Sequence, residues 1–394
     1  MALTVTSPDL RQSVPDWPVS IDQAVSQLRR QDEAFGAAFP DDTTVEGLYR
    51  PRPACAGFAA GANRGWTTGF RTGLRWLAYD WSGDDFFRQG AEADVVDFTR
   101  RVEAGLDTDT HDLGFLYTLS CVAAARLTGD PAAIAAGLAA ADRLMGRICQ
   151  PAGVVQAWGD LTDPAQRGRT IIDSLMNMPL LYWASQASGR PDYAAAAHRH
   201  ASQLRDHIVR PDGSTFHTFY WDPTDGRPLG GATAQGHADD SCWARGQAWG
   251  VLGFALNFRY SRDDSFLVAA GRCLDYFLAH LPGDQVPYWD LVFGDGSSQP
   301  RDSSAAAIAA CGLRELSSHQ LDQAAGLIGR ADAITSSLVT GYSHRTAPRS
   351  NALLLHGVYD LPKSVGVDEA SLWGDYFYLE ALLRAARPGW LGYW

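Results

Sequence analysis

The chain has 394 residues, 46% of them hydrophobic and 20% charged, with a formal net charge of −12 at pH 7. That balance argues against nonspecific binding to nucleic acid or to an anionic membrane, because both need a basic face. A polyanion lying along the whole surface is disfavoured on the same ground; a small anion in a locally basic pocket is not excluded.

The opening residues, MALTVTSPDLRQ, lack a basic stretch followed by an apolar run, so no secretory signal is expected. From there on the apolar spacing is helical nearly everywhere and strand-like alternation is rare. Twelve helices are predicted, near residues 18–36, 68–81, 84–105, 112–128, 131–148, 171–188, 190–208, 241–260, 263–281, 303–317, 321–340 and 371–386. A weak repeat recurs at the joins: Leu127-Thr-Gly-Asp-Pro131, Ala187-Ser-Gly-Arg-Pro191 and Tyr260-Ser-Arg-Asp-Asp264. Gly at one helix end and Pro or Asp at the next start are ordinary stop and start signals.

Every second helix opens on an unusual polar and aromatic cluster. These openings are Trp66-Thr-Thr-Gly-Phe70, His111-Asp-Leu-Gly-Phe115, Ile171-Ile-Asp-Ser174, Ser241-Cys-Trp-Ala-Arg245, Asp302-Ser-Ser304 and Trp373-Gly-Asp-Tyr376. The intervening helices open blandly. Six hairpins closed into a ring, inner helices alternating with outer ones, bring all six clusters to one mouth and finish a core that single hairpins cannot. An open solenoid is the alternative, but it gives no reason to concentrate Trp, His, Asp and Arg at alternate helix starts. The expected fold is therefore all-α, an (α/α)6 barrel of six helical hairpins. Residues 1–40 read as an N-terminal segment with the first outer helix, and 41–394 as one barrel domain that this helix completes. Long loops at 150–170, 209–240 and 283–302 carry Trp158, His217, Gln235, His237 and Trp289; long loops in a compact domain tend to be functional.

Six cysteines are scattered without a CxxC pair, which suits small buried side chains in a reducing compartment. No uncharged apolar stretch of about 20 residues is present, so no membrane span is predicted and a cytoplasmic protein is expected.

Two carboxyls stand out. Asp112 and Asp173 each open an inner helix, where an Asp is ordinarily a cap receiving backbone N–H bonds. Their company differs from that of a plain cap. Asp112 follows His111 and precedes Gly114, which permits close approach, while Asp173 lies in the apolar stretch Thr170-Ile-Ile-Asp-Ser-Leu-Met176. Apolar neighbours raise a carboxyl pKa, as a general acid requires, and two carboxyls in unlike environments are the usual material of sugar-bond chemistry. Arg245 and Trp249 are four residues apart and share a helix face, a guanidinium beside an indole that suits a sugar acid. Trp at helical spacing is as often core, and Trp66 and Trp158 share that ambiguity. His217 reads equally as an ordinary loop histidine. His111, His217 and His237 do not have zinc-like spacing, so no metal is expected, and no GxSxG elbow, phosphate loop or dinucleotide fingerprint occurs in a suitable context.

The stretches WTTGFRTGLRWLAYD, HDLGFLYTLS, IIDSLMNMPLLYWAS, DDSCWARGQAWGVLGFAL, SSAAAIAACGLREL and WGDYFYLEALLR, from about residue 60 onward, together resemble the unsaturated glucuronyl hydrolases, glycoside hydrolase family 88. The resemblance implies the six-hairpin barrel and removal of a 4,5-unsaturated uronic acid from the non-reducing end of lyase-generated oligosaccharides, without a cofactor. It further implies Asp173 as the acid that protonates C4 and then assists water, and Asp112 as the second essential carboxylate. His111, His217, Gln235, Arg245 and Trp249 are implied around the unsaturated ring, with Trp66 and Trp158 as aromatic walls. Lys363, the only lysine, precedes the last inner helix where such proteins can meet the leaving sugar, although a solvated loop lysine is the commoner case. The expected partner is a small unsaturated oligosaccharide, with no nucleic acid or membrane, and the expected state a monomer or weak homo-oligomer. The alternatives are an unsaturated rhamnogalacturonyl hydrolase acting on pectin fragments, an epimerase (which would need central histidines) and a noncatalytic sugar-binding barrel.

Overall fold

A computed structural model of the chain describes residues 14–394 and shows a closed ring of helical hairpins. Residues 1–13, the start of the expected N-terminal segment and the stretch read for a signal, lie outside the described residues. In chain order the helices are α1 (Trp17–Phe35), α2 (Thr68–Ser82), α3 (Asp85–Glu103), α4 (Leu113–Tyr117), α5 (Ala123–Thr128), α6 (Pro131–Met145), α7 (Met178–Ser188), α8 (Pro191–His207), α9 (Ala244–Ser261), α10 (Asp264–Ala279), α11 (Ser303–Ser317), α12 (Ala324–Ser337) and α13 (Leu372–Ala386). All twelve predicted helices are present. The run predicted at 112–128 is α4 and α5 joined by a π turn, Thr118–Val122, and the run at 171–188 begins as a 3-10 turn, Ile172–Asn177.

Six runs form the inner wall: α2, α4–α5, α7, α9, α11 and α13. Neighbours in that order pack together, and α13 returns to α2, which closes the ring. Their sequences explain the placement. Every residue of Thr68–Ala78, Ala244–Phe258 and Leu372–Arg384 is buried, as expected of a helix covered on all sides. The outer helices bury a single stripe; in α1 it includes Ile21, Ala24 and Leu28.

Aromatic side chains fill the axis. Trp394 stacks on Phe377 at 5.7 Å and 5°, meets Phe115 edge-on at 5.9 Å, and donates its indole N–H to Glu380 Oε2. Phe115 in turn meets Trp249 at 5.4 Å and Trp66 at 5.6 Å. All of these rings but Trp66, which is partly exposed, are buried, and each well-placed pair adds about 0.5–1.5 kcal/mol. The result is a packed barrel with a solid floor.

The helix ends follow the repeat read from sequence. Gly129 and Gly189 take left-handed φ values of 70° and 74°, and Arg262 takes the same conformation at 59° where the third copy has no glycine. Asp84, Asp130 and Asp263 cap α3, α6 and α10 with carboxyl-to-backbone bonds.

Among the described residues seven short strands, missed by periodicity because none exceeds five residues, staple the loops at the mouth: β1 (Ile148–Cys149), β2 (Val154–Val155), β3 (Arg169–Ile171), β4 (Thr218–Trp221), β5 (Pro228–Ala232), β6 (Gly357–Asp360) and β7 (Val365–Glu369). They form an antiparallel β1–β2 pair, a β3–β4–β5 sheet and a β6–β7 hairpin. Among the described residues no helix is long and apolar enough to cross a membrane.

Candidate active site

The start of α4 and the turn before α7 are drawn together by a missing side chain. A Cβ on Gly114 would stand 2.2 Å from the Asn177 Cα, so only glycine permits this approach. Asn177 Oδ1 then accepts the Phe115 N–H at 3.0 Å, which locks the two inner runs. As a consequence His111, Asp112 and Asp173 converge, with one donor atom from each lying within 4.8 Å of the others. His111 Nε2 stands 3.2 Å from Asp112 Oδ1 and 3.7 Å from Asp173 Oδ1.

Neither aspartate acts as a cap. Asp112 occupies the capping position of α4 but makes no capping bond; its Oδ2 accepts from Thr110 Oγ1 at 2.7 Å. Asp173 lies inside its 3-10 turn, and its Oδ1 has no hydrogen-bond partner. Both side chains keep 16% of their surface exposed, toward a cavity of about 170 Å³ lined by both.

The three groups titrate as one cluster. Burial, reinforced by the Asp112 charge, pushes Asp173 up to about 6. Burial also acts to raise Asp112, but the His111 imidazole and the Thr110 hydroxyl overcome it and hold Asp112 below the usual carboxylate range. Against its own burial, His111 is raised by Asp112 and then by Asp173. Near pH 6 the cluster therefore comprises an imidazolium, an ionised Asp112 and an Asp173 that is about half protonated, and protonated below that. Two carboxyls with opposite proton affinities a few ångströms apart provide an acid and a fixed negative charge.

The remaining cavity wall consists of Trp66, Ile171, His217, Gln235, Trp243, Arg245, Trp249 and Tyr359. His217 Nδ1 accepts the backbone N–H groups of Ala234 and Gln235 at 2.8 and 3.1 Å. Burial, aided by Arg245, lowers its pKa to about 3, so the ring is neutral with its proton on Nε2, a donor. Trp66 donates to the Tyr359 hydroxyl at 2.9 Å and stacks on Trp373 at 5.1 Å.

Arg245 departs from the expected arrangement. Its guanidinium lies 4.4 Å from the ring centre of Trp243 and 4.9 Å from that of Trp373, and is not paired with Trp249. Trp249 borders the cavity but is nearly fully buried, packed on Phe115 and Phe377. Arg245 also donates to Asp302 at 2.8 Å, to the Val358 and Tyr359 carbonyls, and to Gln235 Oε1 at 3.3 Å. It is a keystone of the wall, a buried and ion-paired cation.

Of the ten residues expected at the site, eight line the cavity and two do not. Trp158 stands outside it with the Arg169 guanidinium 5.8 Å from its ring. Lys363, at the β6–β7 turn, is paired with Asp360 at 2.6 Å and is 68% exposed. Ile171, Trp243 and Tyr359 were not expected; Tyr359 arrives on β6, too short to read from sequence. His237 packs against Trp289 and Phe293, away from the cavity, so a three-histidine cluster does not form.

Two roomier hollows lie elsewhere among the described residues, of about 690 and 770 Å³, and the acids lining them, Asp94, Asp97 and Asp206, are each paired with an arginine. In the first, Asp94 is matched by Arg71 and Arg75. In the second, Arg210 and Arg272 donate to backbone carbonyls.

Comparison with known proteins agrees with the geometry. Residues 51–273 match the model of Glycosyl Hydrolase Family 88. The chain is 43% identical to the unsaturated chondroitin disaccharide hydrolase of Streptococcus pneumoniae (strain ATCC BAA-255 / R6), over 95% of this chain and 93% of that one. It is 41% identical to the unsaturated glucuronyl hydrolase of Bacillus sp. (strain GL1), over 96% of this chain and 98% of that one. The crystal structure of unsaturated glucuronyl hydrolase from Bacillus sp. GL1 superposes with a TM-score of 0.89 at 40% identity, covering 96% of this chain and 98% of that one.

Proposed function

This chain belongs to Glycosyl Hydrolase Family 88 and is a glycosidase that releases 4,5-unsaturated uronic acid from oligosaccharides; we propose that it does so by hydrating the C4=C5 alkene with Asp173 as the acid. The double bond is conjugated with the ring oxygen as a vinyl ether, so C4 is the basic carbon. Asp173 gives its proton to C4, and positive charge develops at C5 and the ring oxygen. The Asp173 carboxylate then takes a proton from the water that adds to C5. The resulting hemiketal opens to a ketone, and the hemiacetal left at C1 expels the leaving sugar.

The reading is carried by one observation, two carboxyls with opposite proton affinities in a cavity with room for about one pyranose ring. A general acid works best when its pKa lies near the working pH, and Asp173 at about 6 meets that condition. Asp112 stays charged and is assigned to the ring hydroxyls and to the developing cation. His217 offers its Nε2–H, Gln235 its amide and Arg245 its positive field toward the sugar carboxylate, with Trp66 against the ring face. Likeness to the Streptococcus pneumoniae chondroitin disaccharide hydrolase supports an unsaturated glycosaminoglycan disaccharide as substrate. Action in the cytoplasm is part of the proposal and is supported by six free cysteines, five of them buried.

Unsaturated uronides absorb in the near ultraviolet, so turnover of an unsaturated chondroitin disaccharide should erase that absorbance. Cleavage of saturated glucuronides with the unsaturated disaccharide left intact would overturn the mechanism.

A further inference from the structure

The protein acid has no hydrogen bond on Oδ1 to hold its orientation, so its position depends on the backbone of its turn. The residue after it, Ser174, is fully buried and donates its hydroxyl to the Ile171 carbonyl at 2.6 Å. The same hydroxyl lies 2.7 Å from Nε2 of His200, a fully buried side chain on the outer helix α8. His200 Nδ1 accepts the Val155 N–H at 3.0 Å, which fixes the tautomer: the proton is on Nε2 and is donated to Ser174.

Val155 belongs to β2, and the chain from β2 runs directly into the cluster. Ala157 donates to the Arg169 carbonyl at 2.8 Å and accepts the His111 N–H at 3.4 Å, while the Ile172 N–H is held by the His217 carbonyl at 3.1 Å. One imidazole thus ties β2, whose continuation at Ala157 holds the His111 N–H, to the turn that carries Asp173. We propose that His200, acting through Ser174, is a positioning residue that sets the spacing of Asp112 and Asp173 from the outer layer of the barrel. His200 touches no substrate and does not exchange protons with it.

Burial holds the imidazole neutral, with a pKa near 3, so the clamp keeps one donor and one acceptor across the working pH range. The groups that face Asp173 are His111 and Asp112 from the start of α4 and Arg245 from α9. Loosening the clamp lets Asp173 drift from Asp112 and admits water, and both effects lower the pH above which the acid has lost its proton.

Resting on the reading of Asp173 as the acid, the test compares His200→Ala, Ser174→Ala and His200→Gln on an unsaturated chondroitin disaccharide. Glutamine retains one acceptor and one donor. The Ala variants should lose at least about tenfold in kcat with KM within about twofold, and their alkaline limb of kcat should move to lower pH. His200→Gln should recover most of both losses. Wild-type kcat and pH profile in Ser174→Ala and His200→Ala would overturn the proposal. So would a Gln variant no better than Ala, or equal losses in kcat and melting temperature with an unmoved pH limb. Failure of the mechanism itself reads differently, because the unaltered enzyme would then leave the unsaturated disaccharide intact.

Discussion

Asp173→Asn separates a working acid from a structural carboxylate, because the two readings predict opposite signs for stability. Held at about 6 against an ordinary 3.8, the carboxyl costs the folded state about 3 kcal/mol once it is ionised. The sign follows from the raised value: the proton is bound more tightly when folded, so its contribution is favourable at low pH and is lost as pH rises through 6. The asparagine variant has no charge to desolvate. It should therefore be more stable than the parent by roughly 1–3 kcal/mol at pH 8, with about half of that gain in place at pH 5. Removing the acid should meanwhile cost about 10²–10⁴ in kcat while substrate still binds. Thermal melts at pH 5 and pH 8, paired with the decay of alkene absorbance, measure both. A variant that turns over normally removes Asp173 from the acid role. A variant that melts earlier than the parent at pH 8 shows that the carboxylate was holding the fold, and its lost activity would then carry no mechanistic weight.

The same proton predicts the pH profile: kcat should fall on the alkaline side with a midpoint near 6, and an acid-side requirement alone would contradict the assignment. Gly114→Ala must push α4 away from Asn177, and should lower both melting temperature and kcat, by about 1–3 kcal/mol in stability; an unchanged enzyme would show that the approach is not needed. Arg245→Ala leaves Asp302 buried without its cation, so a loss of about 3–5 kcal/mol in stability should accompany weaker substrate binding. A change in KM with no change in melting temperature would make Arg245 a binding residue alone.

Helices were legible because a barrel of hairpins writes its period into every turn, and the inner ones were marked by the clusters at their starts. The acid pair was legible for a chemical reason, a carboxyl set among isoleucines and another beside a histidine and a glycine. The spacing of Arg245 and Trp249 put both on the cavity wall, where they are found, but it does not show which indoles flank the guanidinium. On α9, buried all round, Trp249 turns to the barrel axis while Arg245 is held by Trp243 and Trp373. Lys363 drew notice as the sole lysine, yet it is paired with Asp360, a partner three residues away that its rarity does not reveal. Tyr359 was invisible because four residues of strand carry no usable period. His200 was hidden by its surroundings, one of several histidines in an alanine-rich outer helix, with its two partners 45 and 26 positions away.

The column of rings below Trp66 has a consequence for how long chains are handled. With Phe115, Phe377 and Trp394 blocking the lower end, the barrel is a cul-de-sac, and nothing can thread through it. A polymer can offer only its tip, and whatever is cut must back out by the way it came before another tip can enter. Once that tip is gone, the newly exposed sugar carries no alkene, so each molecule is trimmed once and then released, and further shortening waits for another round of elimination upstream.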